Sequence, residues 1–518
     1  MVSRLIVSTR ATAGALAAAS LLGLAACSAG SNEPTGSPEP PGTTGGTGGS
    51  DEALVLGLIA EPASLDFTND GGAAIPQALL VNVYEGLVKL DQDGEIVPAL
   101  ATEWALSDDG LTYTFELVAD AMFTNGEPFT AEDAVFSIER VQNDWTVGLK
   151  SAMDVVANAE ATSPTQLVVT LTNPSNNWLY NMTTRVGAMF SQTGVDDLAN
   201  TPVGTGPFVF SEWNRGDSIV LTRNADYWGD APYFNQVTLR YFDDPTALNS
   251  ALLTGTIDVI TTVQAPEGLA QFEGNDELQI IEGSTNGEVL LSFNHRSAPF
   301  QDLQVRQAVR QAIDHQALMD TCWAGRGELI GSHVPLTDPW YEDLTEVAPF
   351  DPAEATRLLE AAGQSDLTLR LRLPSLPYAT SCGQVVASQL EDVGITVEVD
   401  TLEFPAQWLA QVFQPPNDYD MSIVAHVEPR DIPPIFGDPT YYLGYDNPEV
   451  QQMLDDADAG TPEEQVTIMQ EVARTLSEDA AGDWLFLLPN LIVADADITG
   501  LPENAIGEAL DLTIIARG

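Results

Sequence analysis

Strand-like and helix-like segments take turns along this chain from residue 52 to about 490, and such alternation implies an α/β fold with mixed sheets. The run 54–59, Leu-Val-Leu-Gly-Leu-Ile, reads as a buried strand, and 111–118 alternates as a half-buried one. Further strands are predicted at 166–172, 217–223, 236–242, 289–294, 367–373, 395–399, 420–424 and 484–489. Apolar residues at helical spacing predict helices at 76–90, 129–141, 245–253, 302–318, 352–362, 383–393 and 462–477, with a short one at 408–413. Thr130 ahead of Glu132 and Asp133 marks a helix N-cap. No internal repeat interrupts the pattern.

The first residues read as a targeting segment. Arg4 and Arg10 precede an Ala- and Leu-rich run over 11–26, too short for a comfortable membrane span. It ends in Leu24-Ala25-Ala26-Cys27, which resembles the lipobox of bacterial lipoproteins. Residues 1–27 are therefore expected to be a lipoprotein signal peptide ending at a lipidated Cys27, on the extracytoplasmic face of a cell membrane. Residues 28–50, rich in Gly, Ser, Thr and Pro, cannot bury a core and are expected to be a flexible tether. No later stretch is apolar over the roughly 18 residues a spanning helix requires. Two cysteines remain, Cys322 and Cys382, and in an exported protein they are expected to pair as a disulfide.

Composition removes some functions. Asp and Glu number 76 against 19 Lys and Arg, a net charge of -57. A surface with that field repels nucleic acid, so no nucleic-acid partner is expected. Gly204-Thr205-Gly206 lacks the third glycine of a dinucleotide cradle and runs into Pro207. The four histidines, 295, 315, 333 and 426, form neither His-x-x-x-His nor His-Glu-x-x-His, so no metal site is expected. There is no Gly-x-Ser-x-Gly elbow. The chain is expected to carry no catalytic residues and no cofactor.

Three ordered blocks carry a resemblance. The first is NVYEGLVKLDQDGEIVPALATEW at 82–104 with LTYTFELVADAMFTNGEPFTAEDAVFSIERV at 111–141. The second runs from TPVGTGPFVFSEW to LTGTIDVI over 201–260, and the third is LLSFNHRSAPFQDLQVRQAVRQAID at 290–314. In these the chain resembles the family 5 extracellular solute-binding proteins of ABC importers, the peptide and nickel binders. The resemblance implies a periplasmic-binding-protein-like fold of two lobes around a two-strand hinge near 289–294 and 484–489. Lobe I would comprise 51–290 plus 484–518, with an extra subdomain at 77–201, and lobe II would comprise 291–483. It also implies a monomer that hands its ligand to separate ABC permease and ATPase subunits.

The resemblance points to the loop His426-Val427-Glu428-Pro429-Arg430-Asp431 as the ligand anchor. In peptide-binding relatives the matching loop carries an Asp that pairs with the ligand's α-ammonium. Here His426 takes the place of a Trp, and the Asp position falls between Glu428 and Asp431. Arg430 would either neutralise Glu428 or bind a ligand carboxylate in bidentate fashion. By the family pattern Tyr378, Phe404 and Trp408 flank the same face, Trp484 sits at the returning hinge, and Ser64 and Asp66 border the cleft. A short peptide is the expected ligand. The altered loop keeps a metal chelate, haem, glycan fragment or opine-like compound as the alternative, with a structural surface lipoprotein behind both.

Overall fold

The computed structural model describes residues 49–518. The signal peptide, the lipidated Cys27 and nearly all of the tether lie outside the described residues. Among the described residues no helix is long and apolar enough to cross a membrane.

The chain is mixed α/β, built on two large sheets. One has seven strands in the order Leu278–Gly283, Asn490–Asp495, Val259–Ile260, Ala53–Leu58, Gln236–Tyr241, Ser218–Arg223 and Phe208–Asn214. The other has five, in the order Thr396–Leu402, Thr368–Pro374, Met421–His426, Glu288–Phe293 and Gly482–Leu487. Both combine parallel and antiparallel pairs. A four-stranded antiparallel sheet, Ala101–Leu106, Thr112–Leu117, Gln166–Leu171 and Val156–Ser163, is inserted in the chain before Phe208. The chain passes between the two large sheets twice, through 284–287 and 488–489, and these passages bond to each other. The Thr285 hydroxyl donates to the Leu488 carbonyl at 2.6 Å, and the Leu488 amide donates to Gly287 at 2.8 Å.

Most predicted elements stand within a few residues of their expected bounds, but three differ. The helix predicted over 76–90 stops at Leu79, and Val88–Leu90 is a strand paired with Ile96–Pro98. Tertiary bonds claim this backbone. The Asn82 side chain donates to the Leu510 carbonyl and accepts from the Leu512 amide, and Asn82 and Val83 carbonyls accept from Phe208 and Gly206. A Cβ on Gly204 would lie 1.9 Å from the Val83 carbonyl oxygen, so the Gly-Thr-Gly turn exists for close backbone approach. The helix predicted over 302–318 breaks into Leu303–Gln311 and His315–Cys322, because Asp314 caps the second by accepting from the Ala317 amide. The helix predicted from 383 begins at Pro377, and Gly383 lies buried against Leu373.

Cys322 and Cys382 form a disulfide that ties helix His315–Cys322 to helix Pro377–Asp392 and closes a separation of 60 residues. Cross-linking over such a separation restricts the unfolded chain, typically by about 2 to 4 kcal/mol. Reduction should lower unfolding stability by that order, read as a drop in the urea midpoint with dithiothreitol. An unchanged midpoint would show that the bond contributes nothing.

Candidate functional site

The site forms where the five-stranded sheet meets the helix Asn176–Asn181. Glu288 opens the interior strand Glu288–Phe293, where a continuous apolar run is the norm, and lies between His426 and Leu487 on the neighbouring strands. Residues 427–431 follow the end of strand Met421–His426. Arg430 there has a left-handed backbone, φ 55°, rare for a side chain of its size. That turn places the Arg430 guanidinium 3.7 Å from the Tyr180 ring centroid and 4.9 Å from that of Trp340. Asp338 lies 3.7 Å from Arg430 Nε.

Beside it, Asp431 is 7 % exposed and Glu288 2 %. Oxygens of both and a ring nitrogen of His333 lie within 4.8 Å of one another. Asp431 Oδ1 is 2.9 Å from His333 Nε2, and Trp484 Nε1 donates to His333 Nδ1 at 3.0 Å. His426 Nε2 is 3.1 Å from the Tyr442 hydroxyl, and its Nδ1 is 3.9 Å from Asp431 Oδ2. Asp431 Oδ2 and Glu288 Oε2 are buried and have no hydrogen-bond partner among the described residues.

Burial governs the charges. It pushes the His333 ring down to about 3 and His426 to about 4, so both imidazoles are neutral at physiological pH. Burial raises the carboxyls of Glu288, Glu428 and Asp431, with Asp431 adding a repulsive push to the other two. Asp338 is raised to about 6, again mainly by burial. Unfolded, these acids titrate near 3.8 for Asp and 4.5 for Glu. The folded chain therefore holds their protons to higher pH, and their stabilising contribution, complete below the unfolded values, is lost as pH rises through the folded ones. The melting temperature of the ligand-free protein should fall between about pH 4.5 and 7, and Asp431→Asn should flatten that slope. An equally steep slope in the variant would remove Asp431 from the account.

Five of the sequence-predicted residues converge: His426, Glu428, Arg430, Asp431 and Trp484. Two others support the sheet behind them. The Tyr378 hydroxyl accepts from the Ala425 amide, and the Trp408 indole donates to Ser422. Phe404 is 36 % exposed at a chain turn. Ser64 and Asp66 spend their hydrogen bonds within their own loop: Ser64 accepts from the Asp66 amide, and Asp66 accepts from Thr68 and Asn69. Sequence reasoning missed Glu288, His333, Asp338, Trp340 and Tyr180. Glu288 alone carried a local signal, an acid opening the apolar run 289–291.

The helix Asn176–Asn181 is bonded in turn to residues 457–460. Asp458 Oδ1 accepts from the Ser175 hydroxyl and the Asn177 amide, and the Asn176 side chain donates to the Ala457 and Gly460 carbonyls. Arg185 and Glu508 form a buried pair at 2.5 Å nearby. Two cavities, of about 370 and 480 Å³, open elsewhere and do not border Asp431.

Against known proteins, residues 95–447 match the family model of bacterial extracellular solute-binding proteins, family 5 middle region. The chain is 31 % identical over 294 residues to the nickel-binding periplasmic protein of Escherichia coli K12, covering 54 % of this chain and 56 % of that protein. It is 28 % identical over 342 residues to the glutathione-binding protein GsiB of Salmonella choleraesuis, covering 64 % and 66 %. The chain thus spans somewhat over half the length of these relatives. The periplasmic binding protein DppA of Helicobacter pylori, solved with the peptide STSA, superimposes with a TM-score of 0.80 at 22 % identity, covering 90 % of this chain and 98 % of that one.

Proposed function

The chain belongs to the family 5 bacterial extracellular solute-binding proteins, and from that premise we propose that it captures a short peptide between two lobes and passes it to the permease of an ABC importer. The observation that carries the peptide is the pair of buried, unpartnered carboxylate oxygens on Glu288 and Asp431. A buried carboxylate is costly unless a cation meets it, and the α-ammonium of a peptide supplies both the charge and three N–H donors. Arg430, between Tyr180 and Trp340, is the matching group for a ligand carboxylate. The H. pylori protein solved with a peptide has the same fold.

In this reading the lobe bounds fall at the two passages, a few residues from the expected 290 and 484: the residues up to 287 with those from 488 form one lobe, 77–201 being its subdomain, and 288–487, which hold the whole five-stranded sheet, form the other. They turn about the bonded passages 284–287 and 488–489. The contacts of Asn176 and Arg430 belong to the closed state. Lipidation at Cys27 and the tether 28–50 hold the body near the membrane surface as a monomer. The chain performs no catalysis.

A second reading has its own support: Glu288, His333 and Asp431 offer three ligand atoms within 4.8 Å, and a nickel binder is among the relatives. Native mass spectrometry of protein purified gently from its host separates the two. A set of co-purified masses fitting short peptides supports the first reading. A single metal-containing mass overturns it.

A further inference from the structure

Glu288, His333 and Asp431 are residue types that ligate metals, and their oxygens and ring nitrogen lie within 4.8 Å of one another. The hydrogen bonds around His333 nevertheless close this cluster to a metal. The Trp484 indole N–H can only donate, so His333 Nδ1, 3.0 Å away, accepts and carries no hydrogen. The neutral ring keeps its one hydrogen on Nε2, aimed at Asp431 Oδ1 at 2.9 Å. A metal ion needs the Nε2 lone pair, which that hydrogen occupies. Moving the hydrogen to Nδ1 would set two N–H donors against each other. Metal-bound imidazoles ordinarily donate through their other nitrogen to an acceptor, and here that nitrogen faces a donor.

Packing holds both rings in this arrangement. Trp484 is 1 % exposed on the wholly buried strand Gly482–Leu487, with the Arg310 guanidinium 5.4 Å from its ring centroid. A buried indole N–H needs an acceptor, and His333 Nδ1 is the one it has. His333 is itself 1 % exposed, with the rings of Phe436 and His426 at 5.2 and 5.5 Å. What remains for a ligand is Glu288 Oε2 and Asp431 Oδ2, two buried acceptors without hydrogen-bond partners among the described residues. Two acceptors and no His333 lone pair suit a cation that brings its own N–H groups.

Resting on the reading of this cluster as the ligand site, we propose that Trp484 is a positioning residue for selectivity. By fixing the His333 tautomer it denies Glu288, His333 and Asp431 to a divalent metal ion and keeps the two carboxylates for an ammonium. Replacing the indole with a phenyl ring removes the donor, frees His333 to carry its hydrogen on Nδ1, and opens Nε2 to a metal.

Nuclear magnetic resonance tests this on the intact, untagged protein carrying isotope-labelled histidine, and on Trp484→Phe, with melting curves showing whether the variant folds. The His333 ring signals are assigned by their loss in His333→Gln. In the parent at neutral pH they should place the hydrogen on Nε2, and zinc chloride should leave them unmoved. In Trp484→Phe zinc should shift them, with an affinity about 10- to 100-fold above that of the parent. A hydrogen on Nδ1 in the parent, zinc bound at His333 in the parent, or a folded Trp484→Phe that gains no zinc affinity each overturns the proposal. Where Trp484→Phe does not fold, the tautomer and zinc response of the parent decide alone. Calorimetry of Ala-Ala-Ala against the parent checks the peptide reading separately. No binding of the tripeptide, with the hydrogen on Nε2 and zinc refused, overturns that reading and leaves the exclusion of metal standing.

Discussion

Replacing Asp431 with Asn should weaken peptide binding by about two to three orders of magnitude, because truncating one partner of a buried charge pair costs about 2 to 5 kcal/mol. The amide keeps the volume of the side chain and its oxygen can still accept from His333 Nε2, now 2.9 Å from Asp431 Oδ1. What is lost is the charge that meets the ligand's ammonium. The same change removes an unpartnered buried carboxylate oxygen, so the ligand-free variant should melt no lower than the parent. Calorimetry and a melting curve read the two effects separately. Unchanged affinity would remove Asp431 as the anchor, and a collapse in melting temperature would show its role to be structural.

Asp483→Ala should act in the opposite manner, on the fold. Asp483 lies on strand Gly482–Leu487, 1 % exposed. Its Oδ1 meets Arg310 Nε at 3.3 Å and His315 Nε2 at 3.0 Å. Burial alone would push this carboxyl up, yet His315 and Arg310 outweigh it and hold the group below its ordinary value. Removing it strands a buried guanidinium, which costs about 3 to 5 kcal/mol. Urea unfolding should show a loss of that size. The double variant Arg310→Met with Asp483→Leu should lose much less, since an apolar pair replaces the ions without orphaning either. A single variant as stable as the parent would refute the assignment. The sign with pH also differs from that at Glu288, Glu428 and Asp431, whose carboxyls are raised. The stability from Asp483 is present above its unfolded pKa and is lost as pH falls through the lower folded value.

The contrast between these two acids explains how far the sequence could be read. The strand Glu288–Phe293 and the loop 426–431 stood out locally, one by an apolar run and the other by a cluster of charges after a strand. Tyr180, His333, Asp338 and Trp340 carried no such mark, because sheet order and chain crossings bring them to Asp431 from 251, 98, 93 and 91 positions away. The loop at Ser64 and Asp66 is expected at the cleft by the family pattern alone, and its local bonds are of another kind: Asp66 accepts from the amide of Thr68 and the side chains of Thr68 and Asn69, as such residues commonly do in turns. The helix predicted at 302–318 breaks because capping overrides periodicity: its apolar spacing runs on through Ile313, while the first helix stops at Gln311 and Asp314 caps the second.

Strand order has a bearing on how the chain reaches this state. Asn490–Asp495 lies inside the seven-stranded sheet, between Leu278–Gly283 and Val259–Ile260, and pairs with both. Those two partners emerge from synthesis more than 200 residues earlier. Until the late strand arrives, their edges are open to pairing with any other extended chain. The growing polypeptide therefore depends on being held apart from its neighbours for most of its emergence. A ribosome stalled before residue 490 would release a product with no way to protect those edges, and such a fragment should be cleared or aggregate rather than persist as a partly working protein.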